Sequence, residues 1–189
     1  MQMTDRQIIL AATELLLSQP RLSLQIDPRE LRYNRQIIFE TIESYCRVTN
    51  QVRAELVTAG SPDGITLRHE ALSIVIYNEK APPSRRAFTL AHEVGHIYLD
   101  HSSDDRESER QANLFAAALL APRVLVREIS QVCGLSPAAV AKALGMSVQV
   151  IEIQLVALAV ECDFLEPEIK LLALSRGLLP RKNEPQLGW

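Results

Sequence analysis

Two histidines four residues apart, His92 and His96, constrain this chain more than any other feature of its sequence. Residues at positions i and i+4 lie one above the other on a helix, so both imidazoles face the same point. The flanking residues are largely apolar, which predicts a buried helix over residues 88–99. Buried imidazoles lose hydration, so the pair requires hydrogen bonds or a bound metal ion.

The segment from His92 to His96 has the pattern HExxH, with Glu93 directly after the first histidine. Zinc accepts neutral imidazole nitrogens and leaves one position open in catalytic sites. A glutamate in this place can take a proton from water that attacks a carbonyl group. We therefore predict one Zn²⁺ per chain, with His92 and His96 as ligands and Glu93 as general base. Another divalent ion, such as manganese, accepts the same ligand types.

A third ligand is needed, and the positions just after the motif do not supply it. A metzincin has a glycine three residues after the second histidine and another histidine three residues later, but these positions hold Leu99 and Ser102. On a continuous helix, His101 would point away from His92, so we predict that His101 is a surface residue.

Glu109 and Asn113 lie one helical turn apart in a segment rich in small apolar residues, so they form the better candidates. Ala112 and Ala116 would let this helix pack closely against the HExxH helix. Glu109 would then complete the metal site, and Asn113 would hold a ligating histidine by a contact on the side of its ring away from the metal ion. The alternative is that Glu109 only stabilises the first turn of its helix.

Residues 88–96 and 109–122, together with a strand at 73–78, resemble the ImmA/IrrE-type zinc metallopeptidases. The resemblance is specific over about residues 70–123. It implies a gluzincin-like site with Glu109 as third ligand, and a role in cleaving a partner transcriptional repressor. Gln111 departs from the family pattern, in which a second acidic residue is common at this position.

Two further features near the motif each have a functional and a purely structural interpretation. The strand at 72–77 is either a core strand or an exposed edge strand that binds an extended peptide. Tyr77 and Tyr98 are either donors to the oxyanion formed during peptide hydrolysis or ordinary packing residues.

The pattern along the chain predicts an α+β fold with a zincin-like HExxH helix in its core. We expect a helix with a capping box at Thr4, and a second helix that starts at Asp27 and continues through Tyr45. A small, mostly antiparallel sheet of three strands is expected at residues 55–58, 65–68 and 71–77. We divide the chain into a metallopeptidase domain at 1–123, a helical subdomain at 124–178 and a tail at 179–189.

The helical subdomain has a helix-turn-helix-like pattern at residues 138–155, but its charge argues against DNA binding. The second helix carries Glu152 and no basic residue, and residues 124–165 contain two basic and four acidic residues. The whole chain has a net charge of −3, whereas dedicated nucleic-acid binders are usually basic. We predict that this region packs against the rest of the protein or docks a partner, and that it binds no nucleic acid.

Three widely spaced cysteines indicate a reducing compartment, so we expect a cytoplasmic protein. The chain lacks a long apolar run, so we expect no membrane span. The sequence thus predicts a zinc-dependent endopeptidase, and the resemblance to the ImmA/IrrE-type family implies that its protein substrate is a helix-turn-helix repressor. Two alternatives from other classes are a non-catalytic zinc-binding docking module and a helix-turn-helix transcription factor.

Overall fold

The computed structural model describes residues 3–50, 63–69, 72–103, 105–132, 134, 136–160 and 163–179. Within these residues the fold is α+β, as predicted, with eight α-helices and three strands. The helices are α1 (Asp5–Leu17), α2 (Ile42–Thr49), α3 (Pro83–Tyr98), α4 (Arg106–Leu120), α5 (Arg123–Val132), α6 (Pro137–Leu144), α7 (Val148–Val160) and α8 (Glu166–Ser175). The strands are β1 (Gln36–Thr41), β2 (Gly64–Arg68) and β3 (Leu72–Tyr77).

Helix α1 begins as its sequence predicts. Thr4 is the N-cap, and it forms a reciprocal capping box with Gln7. The apolar face of α1 is buried against α4 and α8, with Ile8 and Ala12 fully inaccessible to solvent. This face belongs to a single apolar cluster that also includes residues of α3 and of α4 through α8.

The predicted second helix is wrong over most of its length. Asp27 caps only one 3₁₀ turn at Pro28–Glu30, and the backbone becomes extended at Leu31. Residues 36–41 then form β1, and a helix resumes only at Ile42. The start signal was interpreted correctly, but β1 gains its hydrogen bonds from a strand more than thirty residues away, which no local pattern reveals.

The sheet has the strand order β1-β3-β2, with β1 parallel and β2 antiparallel to β3. It is therefore mixed rather than mostly antiparallel. β2 and β3 lie where two of the strands were expected, whereas the expected strand at 55–58 lies outside the described residues. Because β3 has a partner on both sides, it is the central strand, so of the two interpretations of residues 72–77 the core strand is correct and the exposed edge is not.

The C-terminal helices are tied together by a buried ion pair between α5 and α8. Nη2 of Arg123 lies 2.8 Å from Oε2 of Glu168, and both side chains are almost inaccessible to solvent. The backbone N–H of Leu165 donates to the same carboxylate oxygen at 2.9 Å, so the start of α8 is held by the same group. The division of the chain at 123 and 178 stays a prediction.

Helices α6 and α7 meet at 113°, an angle typical of helix-turn-helix units. Gly145, with φ +67°, makes the turn between them, as its position in the sequence predicts. Among the described residues, no individual helix has both the length and the apolar character needed to cross a membrane, although the bent pair meets these criteria together on length and composition alone.

Helices α3 and α4 approach closely at Gly95, inside the HExxH segment. A Cβ atom at this position would lie 3.2 Å from the Cα and carbonyl oxygen of Ala112 and 3.2 Å from the ring of Phe115. Two of these atoms belong to the backbone and cannot rotate away. The glycine therefore sets the distance between the two helices.

We expect the substitution Gly95→Val to force α3 and α4 apart and to lower the free energy of unfolding by about 1–3 kcal/mol. Urea denaturation of the purified chain measures this. Gly177→Val is the matched control, since no atom of the described residues lies within 4 Å of the place that its Cβ would occupy. Equal stability of Gly95→Val and wild type would contradict the close contact.

Candidate metal centre

The structure brings His92, His96 and Glu109 together at one point between α3 and α4. The two Nε2 atoms lie 3.0 Å apart. Oε2 of Glu109 is 3.4 Å from Nε2 of His92, and Oε1 is 3.3 Å from Nε2 of His96. Two nitrogen atoms and one carboxylate thus converge from two helices, as metal ligands must.

The Nδ1 atoms of both histidines face away from this point and have other partners. Nδ1 of His92 lies 3.0 Å from Oδ1 of Asn113, the contact predicted for that residue. Since an amide oxygen only accepts, this contact is a hydrogen bond when His92 carries its proton on Nδ1, and the lone pair on Nε2 then faces Glu109. Nδ1 of His96 lies 3.1 Å from the ring of His101.

This arrangement fits a divalent metal ion. Two imidazole nitrogens and a carboxylate suit zinc, and they also suit other divalent ions. Metal-bound histidines commonly donate their other ring N–H to a carbonyl or carboxylate oxygen, which is the role of Asn113 towards His92.

Glu109 is carried by the first turn of α4, and Asp105 fixes where that turn begins. Its carboxylate accepts from the backbone N–H groups of Glu107 and Ser108, at 3.0 and 2.9 Å. These hydrogen bonds, first that from Ser108, together with one from the hydroxyl of Ser103, hold the pKa of Asp105 below its usual value. A charged cap therefore anchors the helix start that carries Glu109.

Glu93 lies next to the three converging groups and is 8% exposed. The hydroxyl of Thr66, on β2, donates to Oε2 of Glu93 at 2.6 Å. Strand β2 reaches this position because of Gly64, whose missing Cβ would lie 2.5 Å from Cγ2 of Thr89 on α3. Sequence reasoning missed Thr66, because its strand and the HExxH helix meet only in the folded chain.

An open cleft of about 940 Å³ leads to this centre. Residues of α3 and α4 form one side, and the other side is β2, through Gly64, Ile65, Thr66 and Arg68. Among the described strands, β2 is at the edge of the sheet that borders the cleft.

Neither tyrosine proposed as an oxyanion donor is among the described residues that line the cleft. Tyr77 is buried, and its hydroxyl accepts a hydrogen bond from Nη1 of Arg29 at 3.2 Å. Tyr98 packs against the rings of Tyr33 and Phe115. Both tyrosines therefore have packing contacts away from the cleft lining, and a donor role for either stays a prediction.

The prediction that His101 is a surface residue is wrong. Helix α3 ends at Tyr98, and Asp100 takes a left-handed conformation with φ +52°. This turn brings the ring of His101 back to His96 and Gln111, at 3.1 and 3.0 Å. The prediction failed because it extended the helix past its end.

The three converging side chains could hold a metal ion, and comparison with known families places the chain in the metallopeptidase class. The model of a peptidase family described as the IrrE N-terminal-like domain matches residues 48–156, which is more than half of the chain. The chain belongs to this family of ImmA/IrrE-type metallopeptidases. A search of curated proteins found no match.

We expect wild type to bind one zinc ion per chain, and His92→Ala and Glu109→Ala to lose it, because each removes one of three converging ligands. Glu107→Ala should keep zinc, since that carboxylate is directed to Arg110 and Gln111. Metal analysis after dialysis measures the zinc content of wild type and of each variant. Loss of zinc from Glu107→Ala with retention in Glu109→Ala would reassign the third ligand.

Proposed function

We propose that this protein is a zinc-dependent endopeptidase that hydrolyses a peptide bond of a partner protein. The observation that carries the proposal is the convergence of His92, His96 and Glu109 in one cleft, with Glu93 beside them. A site that only stores or senses zinc needs no acidic group next to the ligands and no cleft leading to them.

A divalent ion in this position supplies a Lewis acid that polarises the carbonyl of the scissile bond and activates water. Side chains of the protein carry out the proton transfers. Glu93 accepts a proton from the attacking water and returns it to the leaving amine. Thr66 holds one carboxylate oxygen of Glu93, which keeps the side chain turned towards the cleft.

The position of β2 along one side of the cleft supports a polypeptide as the substrate. Among the described strands β2 is an edge, and an extended peptide can pair with such a strand through its backbone, which orients the scissile bond without requiring a particular sequence. Strand β2 borders both the cleft and the residue that contacts Glu93. We therefore assign to β2 the peptide-binding role that was one of two interpretations of residues 72–77.

The substrate class that the family relationship favours is a transcriptional repressor with a helix-turn-helix fold. The helices α6 and α7 would then serve packing or partner docking rather than DNA binding. On the outer face of α7, Glu152 stands beside the exposed apolar side chains of Ile153 and Val156. A surface of this kind suits contact with protein better than contact with phosphates.

We expect Glu93→Gln to keep zinc and fold while cleavage of the repressor falls by a factor of at least about 10²–10⁴. Glutamine cannot accept the proton from water, but its side-chain oxygen can still accept the hydrogen bond of Thr66. The experiment compares zinc content, thermal midpoint and cleavage of a co-expressed candidate repressor for wild type and variant.

Glu14→Gln is the matched control, because Glu14 is an exposed residue of α1 outside the cleft. This variant should cleave like wild type. Undiminished cleavage by Glu93→Gln would exclude Glu93 as the general base. If wild type binds zinc but cleaves none of the repressors encoded near its gene, the docking module becomes the better account.

We expect at most weak binding of DNA at about 0.1 M salt, measured by fluorescence anisotropy with random duplex. The double variant Gln149→Lys, Glu152→Lys adds positive charge to the exposed face of α7. It should bind duplex more tightly, with an affinity that falls as salt rises. Micromolar or tighter binding by wild type would favour the transcription factor instead.

A further inference from the structure

The metal ligand His96 is backed by a chain of hydrogen-bonding side chains that ends in the first turn of α4 and at the N-terminal segment. The turn after α3 carries its first member, His101. Its backbone N–H donates to the carbonyl of His96 at 3.1 Å, and the two rings pack edge to face with centroids 5.0 Å apart. Arg35 holds the turn by hydrogen bonds to both carboxylate oxygens of Asp100, at 2.6 and 3.1 Å.

The far end of this series of side chains determines the direction of the hydrogen bonds within it. Gln111 is 5% exposed, and its Nε2 lies 3.0 Å from Oε1 of Glu107 and 3.4 Å from the carbonyl oxygen of Met3. Both of these neighbours are acceptors, so the NH₂ group of Gln111 must face them. The amide oxygen of Gln111 therefore faces Nε2 of His101, at 3.0 Å.

The protons of the two rings follow from this orientation. An amide oxygen only accepts, so His101 carries its proton on Nε2, and its Nδ1 has a lone pair. The Nδ1 atom of His101 lies 3.1 Å from Nδ1 of His96 and accepts a hydrogen bond from the N–H at that position. The Nε2 atom of His96 is then left with a lone pair, which faces His92 and Glu109.

We propose that His101 and Gln111 are positioning residues that hold His96 in the tautomer and orientation needed to bind the metal ion. The proposal rests on the proposed zinc site. Asn113 does the same for His92 in one step, whereas His96 depends on two side chains in series. A carboxylate at position 111 could not donate to Glu107, so amide and acid at these two positions act as a matched pair.

The first test measures zinc affinity of the full chain by competition with a chromophoric chelator. Gln111→Met preserves length but removes the acceptor for His101, and His101→Phe preserves the ring but removes its nitrogens. Each should weaken zinc binding by about 10- to 100-fold, the usual effect of losing a partner of a metal-bound histidine. The double variant should lose little more than either, since both act through His96.

Exchange of the two side chains, Gln111→Glu with Glu107→Gln, tests the direction of the hydrogen bonds. The amide at 107 would donate to the carboxylate at 111, which would accept from His101, so zinc affinity should return towards that of wild type. Gln149→Met, at an exposed position of α7, is the matched control and should bind zinc normally. A folded exchange variant that binds zinc as weakly as Gln111→Met would overturn the proposal.

The second test determines the tautomers of His96 and His101 in zinc-loaded wild type, so it does not depend on the folding of any variant. Long-range ¹H–¹⁵N spectra should find the proton of His96 on Nδ1 and that of His101 on Nε2. A proton on Nδ1 of His101, or unchanged zinc affinity in both single variants, would overturn the positioning role while leaving the zinc site intact. Failure of wild type to bind zinc would instead refute the proposed function, and the positioning role with it.

Discussion

The contact between α3 and α4 at Gly95 controls the geometry of the candidate site. The Cα of Ala112 lies where a side chain on residue 95 would have to go, so the helices approach to backbone contact. This spacing leaves the carboxylate of Glu109 3.3–3.4 Å from the Nε2 atoms of the two histidines. The glycine within the motif and the alanine on the neighbouring helix thus help to set the geometry of the centre.

The sheet contributes the other half of the site. β2 packs against α3 closely enough that a Cβ at Gly64 would lie 2.5 Å from the Cγ2 methyl group of Thr89, and Thr66 on the same strand reaches Glu93. The proposed general base is held between a helix that carries the proposed ligands and a strand that borders the cleft. A short mixed sheet is sufficient for this, because β3 is fixed by partners on both sides and can hold β2 against α3.

The N-terminal segment is connected to the candidate site through α4. The carbonyl of Met3 accepts from Gln111, and Arg110 joins the carboxylates of Asp5 and Glu107. The start of α1 is therefore attached to the same helical turn that carries Glu109. In this arrangement, the polar groups around the proposed ligands extend well beyond the HExxH motif and involve parts of the chain more than ninety residues apart.

The sequence alone determined what depends on helical spacing: His92 with His96, Glu109 with Asn113, the capping of α1 and the turn at Gly145. Each of these features involves residues only a few positions apart in the sequence. At that spacing the geometry of one helix or turn decides which side chains meet. Only the tertiary structure decided the rest. Residues 36–41 became a strand by pairing with β3, Thr66 met Glu93, and the left-handed turn at Asp100 returned His101 to His96. Each of these contacts depends on a chain reversal or on the packing of distant elements, and no periodicity in the sequence encodes either.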